Sequence, residues 1–232
     1  MKRNVFLCIL AVFMLPMMAL ASTDGTNAES EGDFVTWLLY QGHGSFRLSS
    51  SNGTVVYVDP YAGEGYDAPA DIILVTHQHG DHNQVGLPAR KENCVVITQA
   101  EAIVNGAHQV IKTHGITIEA VQAYNKNHDV KSSVGYIITM DDIKIYAAGD
   151  TSTTDQMATF PEKELSYALL PCDGVYNMDL EEAAACAALI GAKHNVPIHM
   201  LPGALFDRDR AEKFDAPNRL IVEAGEEIAL AE

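Results

Sequence analysis

Apolar and polar positions alternate in short bursts along the first part of the chain. Phe34-Val35-Thr36-Trp37-Leu38-Leu39-Tyr40 mixes β-branched, aromatic and apolar residues and predicts a strand, with Trp37 assigned to the core. Phe46-Arg47-Leu48 and Thr54-Val55-Val56-Tyr57-Val58 predict two more, separated by the turn-forming Ser50-Ser51-Asn52-Gly53. That opening reads as antiparallel β. The next strand runs from Asp71 to Thr76, and Cys94-Val95-Val96-Ile97-Thr98 follows as another before a short helical stretch, Gln99 to Asn105. Ile116 to Val121 alternates cleanly, and Asp141-Asp142 joins strands at Gly135–Thr139 and Ile143–Ala147 as a hairpin. A strand lies within Glu164–Leu170. Asp179 suits a helix N-cap, with Glu181 and Glu182 in the first turn and Gly191 as the stop after Ala183–Ile190. Val196–Met200 predicts a short strand, residues 207–214 a helix, and Arg219–Val222 the last strand. Strands followed by strand-and-helix alternation predict an α/β chain.

The N-terminus has a different pattern. Met1-Lys2-Arg3 precedes an apolar run from Val5 to Leu20, and Ala19-Leu20-Ala21 provides a small-residue cleavage site, so residues 1–21 read as a secretory signal peptide cut after Ala21. Pro16 and the shortness of the run argue against an anchor, since about 20 apolar residues are usual for a span. The mature protein is therefore expected to be exported, periplasmic or secreted, without stable membrane insertion. Residues 22–33 are small and polar and read as a flexible lead-in. Residues 34–232 suit a single domain.

Charge and cysteine content narrow the picture further. The formal charge of −16 argues against nucleic acid and anionic membranes, which call for basic patches. Small-molecule substrates remain, and bound cations can dominate the local field of an acidic protein. Once the signal is removed, Cys94, Cys172 and Cys186 are left. Cys94 and Cys186 read as buried thiols, and a Cys172–Cys186 bridge stays open.

The densest chemistry is Thr76-His77-Gln78-His79-Gly80-Asp81-His82, directly after an apolar strand. In an extended segment His77 and His79 project to one side and can reach one ion, leaving Asp81 and His82 for a second. Further donors stand at predicted strand ends: His43, Asp59, Asn125 or His128, Asp150 and His199. Loops at one sheet edge converge, so these distant positions can share a pocket. His43, between two glycines, and Asp173 and Asn177 are candidate substrate contacts, and Tyr176 between the last two could also line the pocket.

His77-x-His79-x-Asp81-His82, Gly149-Asp150-Thr151 and Pro197-Ile198-His199 together resemble the metallo-β-lactamase superfamily. Gly42-His43-Gly44-Ser45-Phe46, Val58-Asp59-Pro60 and Ala123-Tyr124-Asn125 resemble its branch of small hydrolases related to L-ascorbate-6-phosphate lactonase. The resemblance implies a four-layer α/β/β/α sandwich with two divalent metal ions, zinc or else manganese or iron. It implies that His77, His79 and a mid-chain residue bind one ion, that Asp81, His82 and His199 bind the other, and that Asp150 bridges them. The mid-chain ligand lies between His128 and Asn125, with His128 the better donor. Asp59 would orient the histidine loop by hydrogen bonding, and Asp81 would serve in catalysis by orienting the attacking water and passing its proton on. The activity implied is hydrolysis of a small ester, lactone or phosphoester. A β-lactam hydrolase and a binding protein without turnover are the alternatives.

Overall fold

The computed structural model describes residues 35–231, so the expected signal peptide and the whole of the expected lead-in lie outside the described residues. The chain begins with β1 (Thr36–Gly42), β2 (Ser45–Ser49), β3 (Val55–Val58), β4 (Ala70–Leu74) and β5 (Arg90–Ile97). A short helix α1 (Gln99–Ala102) and a small hairpin, β6 (Ile103–Val104) with β7 (Ala107–His108), follow. Next come β8 (Val110–Thr113), β9 (Ile116–Gln122), β10 (Val134–Met140) and β11 (Ile143–Ala147). A 3-10 segment at Asp155–Lys163 leads to β12 (Tyr167–Pro171), α2 (Leu180–Ile190), β13 (His194–Ile198), α3 (Arg208–Lys213) and β14 (Glu227–Leu230).

Twelve of these strands form two mixed six-stranded sheets, ordered β14-β1-β2-β3-β4-β5 and β13-β12-β11-β10-β9-β8. They face each other across an apolar layer containing Leu38, Tyr40, Phe46, Val58 and Leu74 from the first and Ile118, Tyr136, Ile145, Leu169 and Val196 from the second. Each such side chain contributes about 1.5–3 kcal/mol by leaving water. On the outer face of the second sheet, Tyr146, Ala168 and Leu170 pack with Ala183, Cys186 and Ile190 of α2 and with Met157 and Phe160. Tyr66, Ala68 and Val85 from loops cover Tyr57 and Ile73 on the outer face of the first. The α/β sandwich expected from sequence is therefore present as a single domain.

Strand direction decides where the chemistry goes. In the first sheet β3, β4 and β5 are parallel, and β1 shares their direction because two antiparallel pairings separate it from β3. In the second, β11, β12 and β13 are parallel, and β9 is likewise aligned with β11. The segments after β1, β3, β4, β9, β11, β12 and β13 carry His43, Asp59, His77–His82, His128, Asp150, Asp173 and His199 respectively. Within each sheet the C-terminal ends of these strands lie at one edge. A backbone bond from His199 N to His43 O at 2.8 Å and another from Val134 N to Thr76 O at 3.0 Å join the two sheets there.

Three expectations are corrected. Arg219–Val222 is not a strand. Arg219 makes a single bridge to Asn195, and the last strand is β14, which pairs with β1. Trp37 is 44% exposed, because it lies on the outward side of β1 opposite Ser49 and Ala229. The three described cysteines are free thiols, so Cys172 and Cys186 are unbridged, and Cys94 is half-buried rather than buried.

Candidate metal centre

Local backbone geometry aims the donors. Asp59, at φ 45° just past β3, accepts hydrogen bonds from Thr76 N at 2.7 Å and Thr76 Oγ1 at 2.6 Å. Its Oδ2 also faces His82 Nδ1 at 2.9 Å, so one buried carboxylate ties the end of β4 to the histidine loop. His43 and His199 also have positive φ, 57° and 43°. Non-glycine residues rarely adopt that region, and its strain gathers at functional sites. Gly149 has φ 62°, and a Cβ there would lie 2.7 Å from Thr76 Cβ, so glycine lets the Asp150 turn approach the histidine loop.

The imidazoles point inward as a set. His77 Nε2 lies 3.1 Å from His79 Nδ1, which lies 3.2 Å from His128 Nε2. Asp150 Oδ2 is 3.3 Å from His128 Nε2, 3.6 Å from His199 Nε2 and 4.0 Å from His77 Nε2, while its Oδ1 is 3.3 Å from His82 Nε2. Four donors placed about 2.0–2.1 Å from a tetrahedral ion are separated from each other by about 3.3 Å, so these spacings suit metal coordination. Three groups have the proximity to hold an ion: His77, His79 and His128; His77, His82 and Asp150; and His43, Asp81, His82 and His199. His82 Nε2, Asp150 Oδ1 and His199 Nε2 are buried without a hydrogen-bond partner, as donor atoms awaiting a cation should be.

Polar groups stand behind the rings. Asp59 receives His82 Nδ1–H, Asn125 Oδ1 receives His128 Nδ1–H at 2.9 Å, and Asp173 Oδ2 lies 3.0 Å from His199 Nδ1. Each ring points its Nε2 at the centre, the atom that carries the lone pair when the ring is neutral with its proton on Nδ1. The contact from His199 is close but bent away from good hydrogen-bond alignment. By sequence, Asn125 and His128 are alternative ligands. The structure brings His128 to the centre and sets Asn125 behind it.

The charges are interdependent. Burial, and then the neighbouring His82, push His77 down to about 2, so it is a neutral donor. Burial also disfavours the charged form of His82, but Asp150 and Asp59 outweigh it and raise that ring to about 9. Burial opposes ionisation of Asp150, yet His82, His199, His77 and His128 keep its carboxyl below the usual range. The hydrogen bond from His43 holds the half-exposed Asp81 well down. Burial lifts the Cys172 thiol to about 12, which disfavours a thiolate ligand.

The donors open onto a cavity of about 350 Å³ lined by His79, Asp81, Asn127, His128, Asp150, Tyr176 and His199. Three residues expected to touch substrate do not line it. His43 is buried with Nε2 3.1 Å from Asp81 Oδ2, Asp173 is buried against His199, and Asn177 bonds to Asp173 and Asn125. Tyr176, a pocket candidate from the sequence beside Asp173 and Asn177, does line it, whereas Asn127, missed from sequence, sits in an exposed loop that carries no periodic signal.

Two facing mixed sheets with a histidine- and aspartate-lined pocket at one edge define a metallohydrolase of the metallo-β-lactamase fold. The β-lactamase superfamily domain profile matches residues 36–199. A UPF0173 metal-dependent hydrolase of Nitratidesulfovibrio vulgaris is 33% identical over 193 residues, covering 71% of this chain and 79% of that protein. Another, from Pyrococcus horikoshii, is 29% identical over 222 residues, covering 82% and 98%. The solved structure of Igni18, a metallo hydrolase from Ignicoccus hospitalis, shares the fold with a TM-score of 0.67 at 24% identity, covering 85% of this chain and 99% of that one. The chain belongs to the metallo-β-lactamase superfamily and, within it, to the UPF0173 metal-dependent hydrolases.

Proposed function

We propose that this enzyme hydrolyses a small neutral acyl compound, an ester or lactone, at two divalent cations, with zinc the first choice. His77, His79 and His128 would hold one, Asp81, His82 and His199 the other, and Asp150 both. The observation supporting this reading is the convergence of six imidazole and carboxylate donors on one cavity of about 350 Å³: His79, Asp81, His128, Asp150 and His199 line it, and His82 faces Asp150. Divalent cations there supply Lewis acidity and a water that ionises near pH 7. Asp81 faces the same cavity and is the carboxylate positioned to orient the attacking water and pass its proton to the leaving oxygen. A hydrogen bond from His43 Nε2 steadies Asp81, and His43 Nδ1 lies 3.3 Å from Ala204 O.

The lining also bears on substrate class. Neither this cavity nor the adjoining recess of about 150 Å³, which reaches Gln78, Asp129, Ser132 and Ser133, is lined by a lysine or arginine among the described residues. A phosphate carried away from the reaction centre would meet no cationic side chain, whereas Tyr176 and Asn127 suit a neutral group. This favours an acyl substrate over a phosphoester. The family relatives bear only the general name of metal-dependent hydrolase, so the ester or lactone reading rests on the cavity lining. A panel of aryl and alkyl esters, lactones, phosphoesters and β-lactams, each with and without chelator, tests it. Chelator-sensitive turnover of esters or lactones is expected, and turnover confined to phosphoesters or β-lactams would replace the reading. We also propose export with cleavage after Ala21. Mass spectrometry of the mature protein should find Ser22 first, and an intact Met1 refutes it.

A further inference from the structure

Of the residues lining the cavity over the metal centre, all but Tyr176 end in an imidazole, a carboxylate or a carboxamide. Tyr176 alone brings a hydrocarbon ring to it. The adjoining recess offers no second apolar wall, because its lining is polar throughout, from His77 and Gln78 to Ser132 and Ser133. An apolar part of a substrate whose carbonyl lies at the cations therefore has one surface to rest on.

The loop that carries this residue holds it in place by its backbone. Tyr176 is 50% exposed and its neighbour Val175 51%. A lone exposed hydrophobic residue is ordinary, but this pair stands on a fastened segment. Asp173 Oδ1 accepts from the backbone N of Val175 at 2.6 Å, of Tyr176 at 2.6 Å and of Asn177 at 3.3 Å. Tyr176 O accepts from Asn125 Nδ2 at 3.0 Å and from Asn127 Nδ2 at 2.9 Å, and Gly174 N donates to Met178 O at 3.0 Å. These bonds engage the Tyr176 N–H and C=O and leave its side chain uncommitted. With the backbone already ordered and only two side-chain torsions to settle, a ligand that meets the ring pays little in lost freedom.

We propose that Tyr176 is a specificity-determining residue whose ring takes a flat apolar group of the substrate. The proposal deepens the reading of an ester or lactone hydrolase and rests on it: the substrate class becomes an ester or lactone bearing one aromatic or similarly flat group. The cavity of about 350 Å³ is at the small end of the range for ligand sites, about 300–1,000 Å³, which suits one ring beside the reacting carbonyl. A contact between two aromatic rings adds about 2–10-fold to affinity beyond burial alone. The ring lies away from the bonds that change, so this contact is equal in ground and transition states and acts on KM rather than kcat.

Zinc-loaded wild type, Tyr176→Phe and Tyr176→Ala test it. Methyl phenylacetate and benzyl acetate carry a ring on the acyl and the alcohol side, and methyl acetate carries none. Tyr176→Ala should raise KM about 2–10-fold for at least one ring-bearing ester while its kcat and the methyl acetate constants hold, and Tyr176→Phe should match wild type. Calorimetric titration with phenylacetate and acetate reads the same contact without turnover: wild type should bind phenylacetate more tightly, and Tyr176→Ala should lose that preference. Alanine keeps the backbone N–H and C=O that fasten the loop, so zinc content and thermal unfolding should equal wild type. Phenylacetate bound no more tightly than acetate by wild type, or a preference retained in Tyr176→Ala, overturns the assignment. A loss in Tyr176→Phe equal to that in Tyr176→Ala transfers the role to the hydroxyl and overturns the ring, and a fall in zinc content makes Tyr176 a support of the centre instead. A phenylacetate preference that depends on Tyr176, with none of the three esters or a lactone turned over, upholds the ring and overturns the hydrolase reading beneath it.

Discussion

Replacing Asp59 with asparagine separates the fold from the site. Asparagine matches aspartate in shape and tolerates the positive φ of 45° at this position, so the backbone has no reason to move. The hydrogen-bond pattern does change. Asp59 Oδ1 accepts from Thr76 N, and Oδ2 accepts from Thr76 Oγ1 and faces His82 Nδ1. The substituted amide would keep its oxygen on Thr76 N and turn its NH₂ toward His82, whose Nδ1 must then be an acceptor. The ring proton moves to Nε2, the atom 3.3 Å from Asp150 Oδ1, and the lone pair aimed at the centre is lost. The alternative amide orientation sets NH₂ against the Thr76 N–H and costs about 1–3 kcal/mol. Loss of such a supporting partner typically weakens metal binding by about 10–100-fold, equivalent to about 1.4–2.7 kcal/mol. The assay is metal retained after dialysis against graded chelator, alongside thermal unfolding of the metal-free protein. Asp59→Asn should release metal at about 10–100-fold lower chelator while still unfolding cooperatively. Retention equal to wild type would refute the tautomer argument.

His128→Ala should lower bound metal far more than Asn125→Ala, because the former removes a donor and the latter only its support; the reverse ranking would reassign the ligand. Metal affinity should rise with pH. In the metal-free fold His82 is raised from 6.5 to about 9, so the stability its proton contributes is complete below about 6.5 and is lost as pH rises through about 9. A cation needs the neutral ring, so affinity should gain up to about tenfold per pH unit across that window, and a flat profile by competition titration counts against His82 as a ligand. A Cβ at Gly44 would lie 2.8 Å from His82 Cε1, and Asp59 holds that ring, so Gly44→Ala should cost about 1–3 kcal/mol in denaturant unfolding together with metal. Wild-type metal content with wild-type stability would show that the ring has room to shift.

The strongest sequence signals are those with a local physical cause. Val55–Val58 and Ile143–Ala147 carry β-branched residues and lie where expected, and Asp179 and Gly191 cap α2 as their chemistry dictates. The histidine cluster is legible because its spacing has few other uses. Strand β14 is not, because Glu227–Leu230 has a weak strand pattern and gains its identity by pairing with β1, far away in sequence. The contest between Asn125 and His128 is also unreadable along the chain. Both carry a donor atom, and only the folded loop, closed by backbone bonds between the two, makes one the support of the other. His43 stands out in the sequence by its flanking glycines, but its direction, toward Asp81 rather than into the cavity, depends on Ala204, a contact no sequence pattern announces.

Metal stoichiometry tests the two-cation centre most directly. Protein stripped with chelator, reconstituted with zinc and passed through a desalting column should retain two equivalents by elemental analysis. The same preparation should gain esterase or lactonase turnover that chelator removes. Less than one tightly held equivalent would contradict a centre built from His77, His79, Asp81, His82, His128, Asp150 and His199.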